Sequence, residues 1–525
     1  MNGRKSSVGV LKTMGLLLFL IAFLSFSFLH FFWAKDIPLK NIEFSEEDFK
    51  LIPALGFTVS ASKEYEEHEL QIEGKFPKEL NGVLYRNGPG IYDRGSMRKR
   101  CLLDGDGMIQ EFRIKNGRVL YRNVFVKTKK FLEEEKANRF LYETWSTLAP
   151  GGFWKNFGFR SMENQAGITV FKRNRRLFAF DEYKDPYELD PKTLKTLGLS
   201  TLGMDPGFTV LSAHSKIDPI TKEWLFFGIA PGRDSVLHMT LLGKNDKLKW
   251  HRTYKLPRYN YTHDFFMTEN YVIFNFHPVF TNIFSYLAGR HSITGAMEWR
   301  PEEKNLIMVF KKYSQDNEKP AVFESDAVWM WHTINAYEKE GSIIADFIGY
   351  DYPDHFIGDD PALFSFMKGK KGNYREKGKA RRMMINLDRE HSVETNVVMD
   401  NMYAFPYINQ DYLGRQYRYV YTIKMSGDPY FFDSVARIDM QTSSEDVFSF
   451  GNGIYTSEPV FASKNKNSAN SSENEGWLLF EIYDSFRQKS ALAVFDAAKI
   501  SKGPRGIAWL KSRMPIGFHG TWTTE

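Results

Sequence analysis

Four histidines sit in four unusual peptides: His214 in SAHSKIDP, His263 in THDFFMTENYVIF, His332 in WHTINAYE and His519 in GFHGTW. Imidazole nitrogen is a ligand for zinc, copper, iron and nickel, and a neutral shell of four imidazoles with open positions suits ferrous iron that must bind oxygen. The gaps between them are 49, 69 and 187 residues. No single helix or hairpin presents such positions together, as an HExxH helix presents its pair; only a fold that gathers distant strands to one point converges them. An isolated histidine is most often a core or surface residue. The other eight, His30, His68, His238, His251, His277, His291, His355 and His391, stand in stretches with no further polar constellation and read that way.

Six peptides in order, ELNGVLYRNGPG (79–90), LDGDGMI (103–109), SAHSKIDP, HDFFMTENY, HTINAYE and FHGTW, give the chain its resemblance to the carotenoid cleavage oxygenases. That family includes apocarotenoid and lignostilbene dioxygenases and the retinal pigment epithelium isomerohydrolase. The resemblance runs from about residue 57 to the last residue. It implies a seven-bladed β-propeller with one iron(II) on its axis, held by His214, His263, His332 and His519, which sit in the matching peptides.

It also implies glutamates behind three of the histidines, each accepting the outer ring N–H and so fixing tautomer and ring direction. Glu182, in LFAFDEYKDPYELDP, matches the partner of His263, and Glu458, in SEPVFAS, matches the partner of His519. The third position departs from the pattern. Where the family reads Glu-Phe-Pro, this chain has Ala404-Phe405-Pro406 before INQDYLGRQYRY, so His332 needs another acceptor: water, a backbone carbonyl or a shifted carboxylate.

Elements able to position such a site are legible as short β-rich runs between turn signals, the pattern of a sandwich, barrel or propeller. Residues 108–126 read as a hairpin around Lys115-Asn116-Gly117, and 168–181 pair around 172–175. Similar runs recur at 224–229, 271–276, 306–311, 343–349, 417–425, 434–440, 477–483 and 491–495. Helical patterning is scarce, and 131–144 is the best helix candidate. Divided by seven blades, the chain gives ~70 residues each, longer than the ~40–50 of simple propeller repeats, so loops and a cap take the surplus. Asn87-Gly88-Pro89-Gly90 and Asp104-Gly105-Asp106-Gly107 are neither phosphate nor calcium loops; they read as turns whose glycines adopt positive φ.

Residues 14–33 carry no acid, lysine or arginine and are long enough to cross a bilayer core of ~30 Å. They read as an N-terminal transmembrane helix within an anchor over 1–35, with 36–525 as the catalytic domain. Phe32 and Trp33 before Ala34 make a poor site for signal cleavage. Arg4, Lys5 and Lys12 ahead of the span favour a cytoplasmic N-terminus, which puts the domain on the non-cytoplasmic side.

The chain is 42% hydrophobic and 26% charged, ordinary for a domain that buries a core. Its aromatic share of 16% is high and suits strands and an apolar tunnel. Cys101 is the single cysteine, which excludes an intrachain disulfide framework and a cysteine-rich zinc site. The net charge of +6 is modest and spread along the chain, so nucleic acid is not an expected partner. Residues 148–159 and 278–287 combine aromatics with few charges, as a rim dipping into a lipid bilayer would. The basic stretch 368–382 is a solvated loop, and 463–476 is low in complexity.

The expected protein is therefore a membrane-anchored, all-β, seven-bladed propeller with a loop and helix cap. What the resemblance implies is a non-haem iron(II) dioxygenase that uses O₂ to cleave a conjugated C=C bond of a carotenoid, apocarotenoid or stilbene-like substrate into two carbonyl products. Isomerisation or ester cleavage of a retinoid-type compound would use the same ligands. A lipophile-binding propeller that lost turnover at Ala404 is the non-enzymatic alternative.

Overall fold

The computed structural model describes residues 13–21, 23, 25, 33–158, 160, 162–205, 211–230, 235–258, 261–314, 318–358, 361–372, 375–387, 392–464 and 472–524. Among these, seven antiparallel sheets of four or more strands follow one another along the chain. Sheets I to V each have four strands, consecutive in the chain except in sheet III, where the two-stranded ribbon Val279–Thr281/Met297–Trp299 intervenes between Tyr271–Phe276 and Asn305–Lys311. Sheet I opens with Thr169–Arg173, sheet II with Ser215–Ile217, sheet III with Phe266–Met267, sheet IV with Trp329–Lys339 and sheet V with Tyr403–Tyr407.

Sheets VI and VII join the two ends of the chain. Sheet VI pairs Gly476–Asp484, Lys489–Asp496 and Gly506–Trp509 with the early strand Gln71–Gly74. In sheet VII the last strand, His519–Thr523, lies against Gly82–Ile91, with His519 opposite Asn87 and Gly520 opposite Arg86. Two hydrogen-bonded seams therefore close the ring.

Neighbouring sheets are cemented face to face by the inward half of each alternating strand pattern. Val83, Tyr85 and Ile109 of sheet VII meet Val170, Leu177 and Ala179 of sheet I. Phe178 and Phe180 then meet Trp224 and Phe226 of sheet II. Phe266, Ile273 and Ile307 of sheet III meet Ala345, Phe347 and Met383 of sheet IV, and Tyr421 and Val435 of sheet V meet Phe461, Phe480 and Ala493 of sheet VI. Leu479 and Leu492 with Leu84 and Phe112 complete the circuit. Short helices at Pro53–Thr58, Leu102–Asp104, Ala362–Ser365 and Phe366–Lys368 bury Phe57, Leu102, Ala362 and Phe366 in the largest core and form the cap.

Both hairpin turns are of the tight type with two positive-φ residues: Asn116 and Gly117 at +53° and +80°, Asn174 and Arg175 at +45° and +63°. The helix expected over 131–144 is shorter and earlier, Lys129–Ala137. Thr128 caps its start by accepting from Phe131 N at 3.0 Å. It stops because Asn138 turns left-handed, after which Glu134 accepts from the backbone N–H of Leu141 and Tyr142 at 2.8 and 3.0 Å.

The glycine-rich peptides need correction too. Gly88, Gly90, Gly105 and Gly107 do not have positive φ. They are glycine because other chain segments touch them: a Cβ on Gly107 would stand 2.1 Å from the Ala166 carbonyl oxygen, and one on Gly88 2.8 Å from that of Ile516. The acids between them are spent on structure. Asp106 pairs with Lys130 at 2.6 Å and Arg94 at 2.9 Å, and Asp104 accepts from Ser146 N and Thr147 Oγ1.

Residues 13–21 are helical, and Leu16, Leu17, Leu18 and Phe19 are exposed. Residues 22, 24 and 26–32 of the expected membrane span lie outside the described residues, and among the described residues no helix is long and apolar enough to cross a membrane. Residues 465–471 of the low-complexity stretch also lie outside them. Where the chain resumes, the Trp33 indole donates to the Ala288 carbonyl at 2.7 Å and Lys35 N to that of Arg290. This ties the helix exit to the short helix Ile283–Leu287, which in turn touches the segment after Gly152–Asn156 through Gly158 N and the Leu287 carbonyl. Trp154, Phe157, Ile283 and Phe284 are exposed on this shared face, Phe284 to 84%.

Candidate metal centre

The four histidines meet at the inner end of four different sheets. His214 immediately precedes the inner strand of sheet II, His263 stands three residues before that of sheet III, His332 lies at a register break within that of sheet IV, and His519 begins that of sheet VII. Their candidate donor atoms all lie within 4.8 Å of one another. His214 Nε2 is 3.0 Å from His263 Nε2, and His332 Nε2 is 3.2 Å from His519 Nε2.

What lies behind each ring decides which nitrogen carries the proton. His519 Nδ1 is 2.8 Å from Glu458 Oε1, and Glu458 Oε2 accepts from Gly520 N at 2.8 Å. His263 Nδ1 faces Glu182 Oε2 at 2.8 Å and the Tyr261 hydroxyl at 3.2 Å; the first contact is shorter and the second better aligned. A carboxylate can only accept, so the Glu458 and Glu182 contacts call for N–H at Nδ1 and leave the Nε2 lone pair pointing into the cluster, whereas the Tyr261 hydroxyl can donate or accept. His214 Nδ1 is 4.0 Å from Asp264, whose carboxylate is engaged by Lys216 at 2.8 Å and by the Thr333 backbone N–H at 3.0 Å.

No carboxylate among the described residues pairs with His332. Ala404 is buried on the inner strand of sheet V and lines the same cavity, and Phe405 packs its ring 5.1 Å from the imidazole. Glu394 is on the outermost strand of sheet IV, paired with Met384, and is no substitute.

Burial, and then the neighbouring imidazoles, hold His214 and His332 well below the usual histidine range, so both are neutral at physiological pH. Four converging imidazoles whose Nε2 lone pairs can aim inward are a donor set for a divalent cation. Moving the remaining protons of His214 and His332 to Nδ1 makes all four Nε2 atoms available.

One side of the cluster opens into a cavity of about 1170 Å³, measured out to its mouth. Trp145, Trp331, Phe356, Phe405, Phe431 and Phe518 are among the aromatic and aliphatic side chains that line it, and Glu182, Tyr261 and His355 are among its polar ones. Its size and lining suit a long apolar ligand.

Sequence reasoning did not single out several residues that the fold brings here. Arg86 is fully buried, 3.3 Å from both Glu458 and Glu481, and also donates to Ser457 and the Gly517 carbonyl. Its peptide had been recognised, but a partner 372 residues away in sequence leaves no local signal. Asp264 and Tyr261 flank His263 and were within reach of the same motif. His355 had been set aside, yet it accepts from Trp331 Nε1 at 2.6 Å at the cavity wall.

A family model described as retinal pigment epithelial membrane protein matches residues 58–524. The chain belongs to the carotenoid cleavage oxygenase family. Among its relatives in that family, the apocarotenoid-15,15'-oxygenase of Synechocystis is 29% identical over 463 residues, covering 86% of this chain and 92% of the relative. The resveratrol cleavage oxygenase 1 of Aspergillus fumigatus is 26% identical over 495 residues, covering 89% and 94%. The crystal structure of the cobalt-substituted Synechocystis oxygenase superposes with a TM-score of 0.83 at 28% identity, over 92% of this chain and 99% of that one. The all-β ring of sheets is thus the propeller of the family's solved oxygenases.

Proposed function

We propose that His214, His263, His332 and His519 hold one iron(II), and that the chain cleaves a conjugated C=C bond of a carotenoid, apocarotenoid or stilbene-like substrate with O₂, giving two carbonyl products. The observation that carries this reading is the opening of a four-imidazole cluster directly into a long aromatic cavity. Bound iron would supply oxygen activation, the one task here that amino-acid side chains do not perform.

The rest is the work of this chain. Glu182 and Glu458 keep Nδ1 of His263 and His519 as donors, so their Nε2 atoms face the metal position. Aromatic walls bind a flat polyene by burying it, hold it in one plane beside the histidines and exclude water. No side-chain acid or base is needed for this reaction.

The same reading includes attachment to a lipid bilayer. An exposed apolar helix precedes the domain in the chain, and Trp33 bonds the Ala288 carbonyl at the end of the short helix that bears exposed Ile283 and Phe284. Anchor and aromatic rim would therefore address one membrane, the domain standing on its non-cytoplasmic side, with substrate drawn from the lipid. Flotation of the full chain with liposomes, lost on truncating residues 1–35 and changing Trp154 and Phe284 to Ser, tests that part.

The central test is elemental analysis of the purified chain after ferrous reconstitution, with product analysis on polyene and stilbene substrates. Iron with two carbonyl products is the expected result. Iron with a rearranged product would make the chain an isomerase, and no iron a binding protein. His263→Ala is expected to lose both iron and turnover; unchanged iron content would remove His263 from the ligand set.

A further inference from the structure

A second cavity meets the histidines from another side. It measures about 1550 Å³ out to its mouth and is bounded near the cluster by His214, His332 and His519 together with Lys216, Asp264 and Glu458. The two cavities share His332 and His519 and otherwise differ. The aromatic one reaches His263 and Glu182, whereas this one reaches His214, Asp264 and Glu458. The cluster is a neck between an apolar room and a polar one.

A dication and a polyene cannot use the same door. Carrying a bare charge into an apolar medium is strongly unfavourable, and a hydrated ion cannot exchange its water shell for Trp and Phe faces. The second cavity is lined by polar side chains: the Thr333 hydroxyl, the carboxylates of Asp264 and Asp411 and the side chain of Asn409, with Lys172, Lys216 and Lys222 among them. Its innermost polar pair, Lys216 and Asp264, stands 2.8 Å apart beside His214, with Lys216 also 2.9 Å from Thr333 Oγ1. A metal ion leaving water could exchange its ligands stepwise here.

We propose that this polar cavity is the route by which the metal ion reaches and leaves the four histidines, while the aromatic cavity serves substrate alone. The inference rests on the reading of the histidines as a metal site and adds the path to it. Lys216 acts as a gate because its ammonium occupies the Asp264 carboxylate that an entering cation would otherwise use.

The test loads the full chain with cobalt(II) and follows loss of its absorption to excess EDTA. Thr521→Trp plugs the polar cavity away from the ligands and is expected to slow loss at least tenfold at unchanged equilibrium occupancy. Gln410→Trp, at an exposed position of the same wall, serves if the first variant fails to fold. Lys216→Met is expected to speed both loading and loss. Filling the aromatic cavity with a long-chain alkyl polyoxyethylene detergent is expected to leave the rate within twofold. If detergent slows release and neither tryptophan does, the route is wrong. If the unmodified chain takes up no cobalt, the metal site itself is wrong, a failure visible before any variant is made.

Discussion

At the scale of single residues, the centre is supported unevenly. His263 and His519 each have a carboxylate at 2.8 Å, His214 has one at 4.0 Å, and His332 has none. Such partners typically change metal affinity ~10–100-fold. Ala404→Glu is therefore expected to slow metal release about tenfold or more, measured by chelator competition; an unchanged rate would mean His332 already has an equivalent acceptor. His355 gives a pH test. Burial pushes its pKa down to about 3 from the 6.5 expected in the unfolded chain, so between these values the unfolded state binds the extra proton. The stability it contributes is full above 6.5 and falls by about 1.4 kcal/mol per pH unit on acidification toward 3. His355→Gln keeps an acceptor for Trp331 and is expected to flatten the acid slope of urea-unfolding free energies by that amount. The four converging histidines and the two carboxylates behind His263 and His519 were readable because each lies in a distinctive peptide. Arg86 and the Lys216–Asp264–Thr333 network were not, because their roles exist only once sheets VI and VII, or II, III and IV, are side by side.

At the scale of elements, strands announced themselves and their ends were set by turn chemistry. The run at 271–276 is the strand Tyr271–Phe276, and 477–483 differs from Gly476–Asp484 by one residue at each end. The helix was misjudged because charged and apolar residues continue past Ala137, whereas the backbone is stopped by Asn138 and by Glu134 bonding to Leu141 and Tyr142. The turn at Asn174–Arg175 is a further consequence of local chemistry: Arg175 holds φ at +63° where glycine is the unstrained choice. Arg175→Gly is expected to stabilise the protein by about 0.5–1 kcal/mol, read from the midpoint of chemical denaturation. A loss instead would mean the Arg175 side chain has contacts worth more than its backbone strain.

At the scale of the whole molecule, the number of sheets could be anticipated only through family resemblance, since no repeat is visible in the sequence and two sheets borrow strands from opposite ends of it. The histidine cluster draws on sheets II, III, IV and VII at once, so an ion bound there would tie together distant parts of the chain. An ion that binds only the folded ring stabilises it by about 2.7 kcal/mol at a free concentration one hundred times its dissociation constant. Metal-free and metal-loaded protein are expected to differ by that amount in unfolding free energy. Equal stabilities with metal demonstrably bound would mean that the opened chain holds it as well.

The closing strand has a consequence for how the gene tolerates damage. The strand His519–Thr523 carries both the edge that seals sheet VII against Gly82–Ile91 and the fourth imidazole of the cluster, and synthesis delivers it after every other strand of the ring. A stop or frameshift just ahead of His519 would leave every other described strand in place and yet remove the seal of sheet VII and the fourth histidine together. Reading frame is thus checked by the fold itself: closing the ring and completing the histidine cluster are the same event.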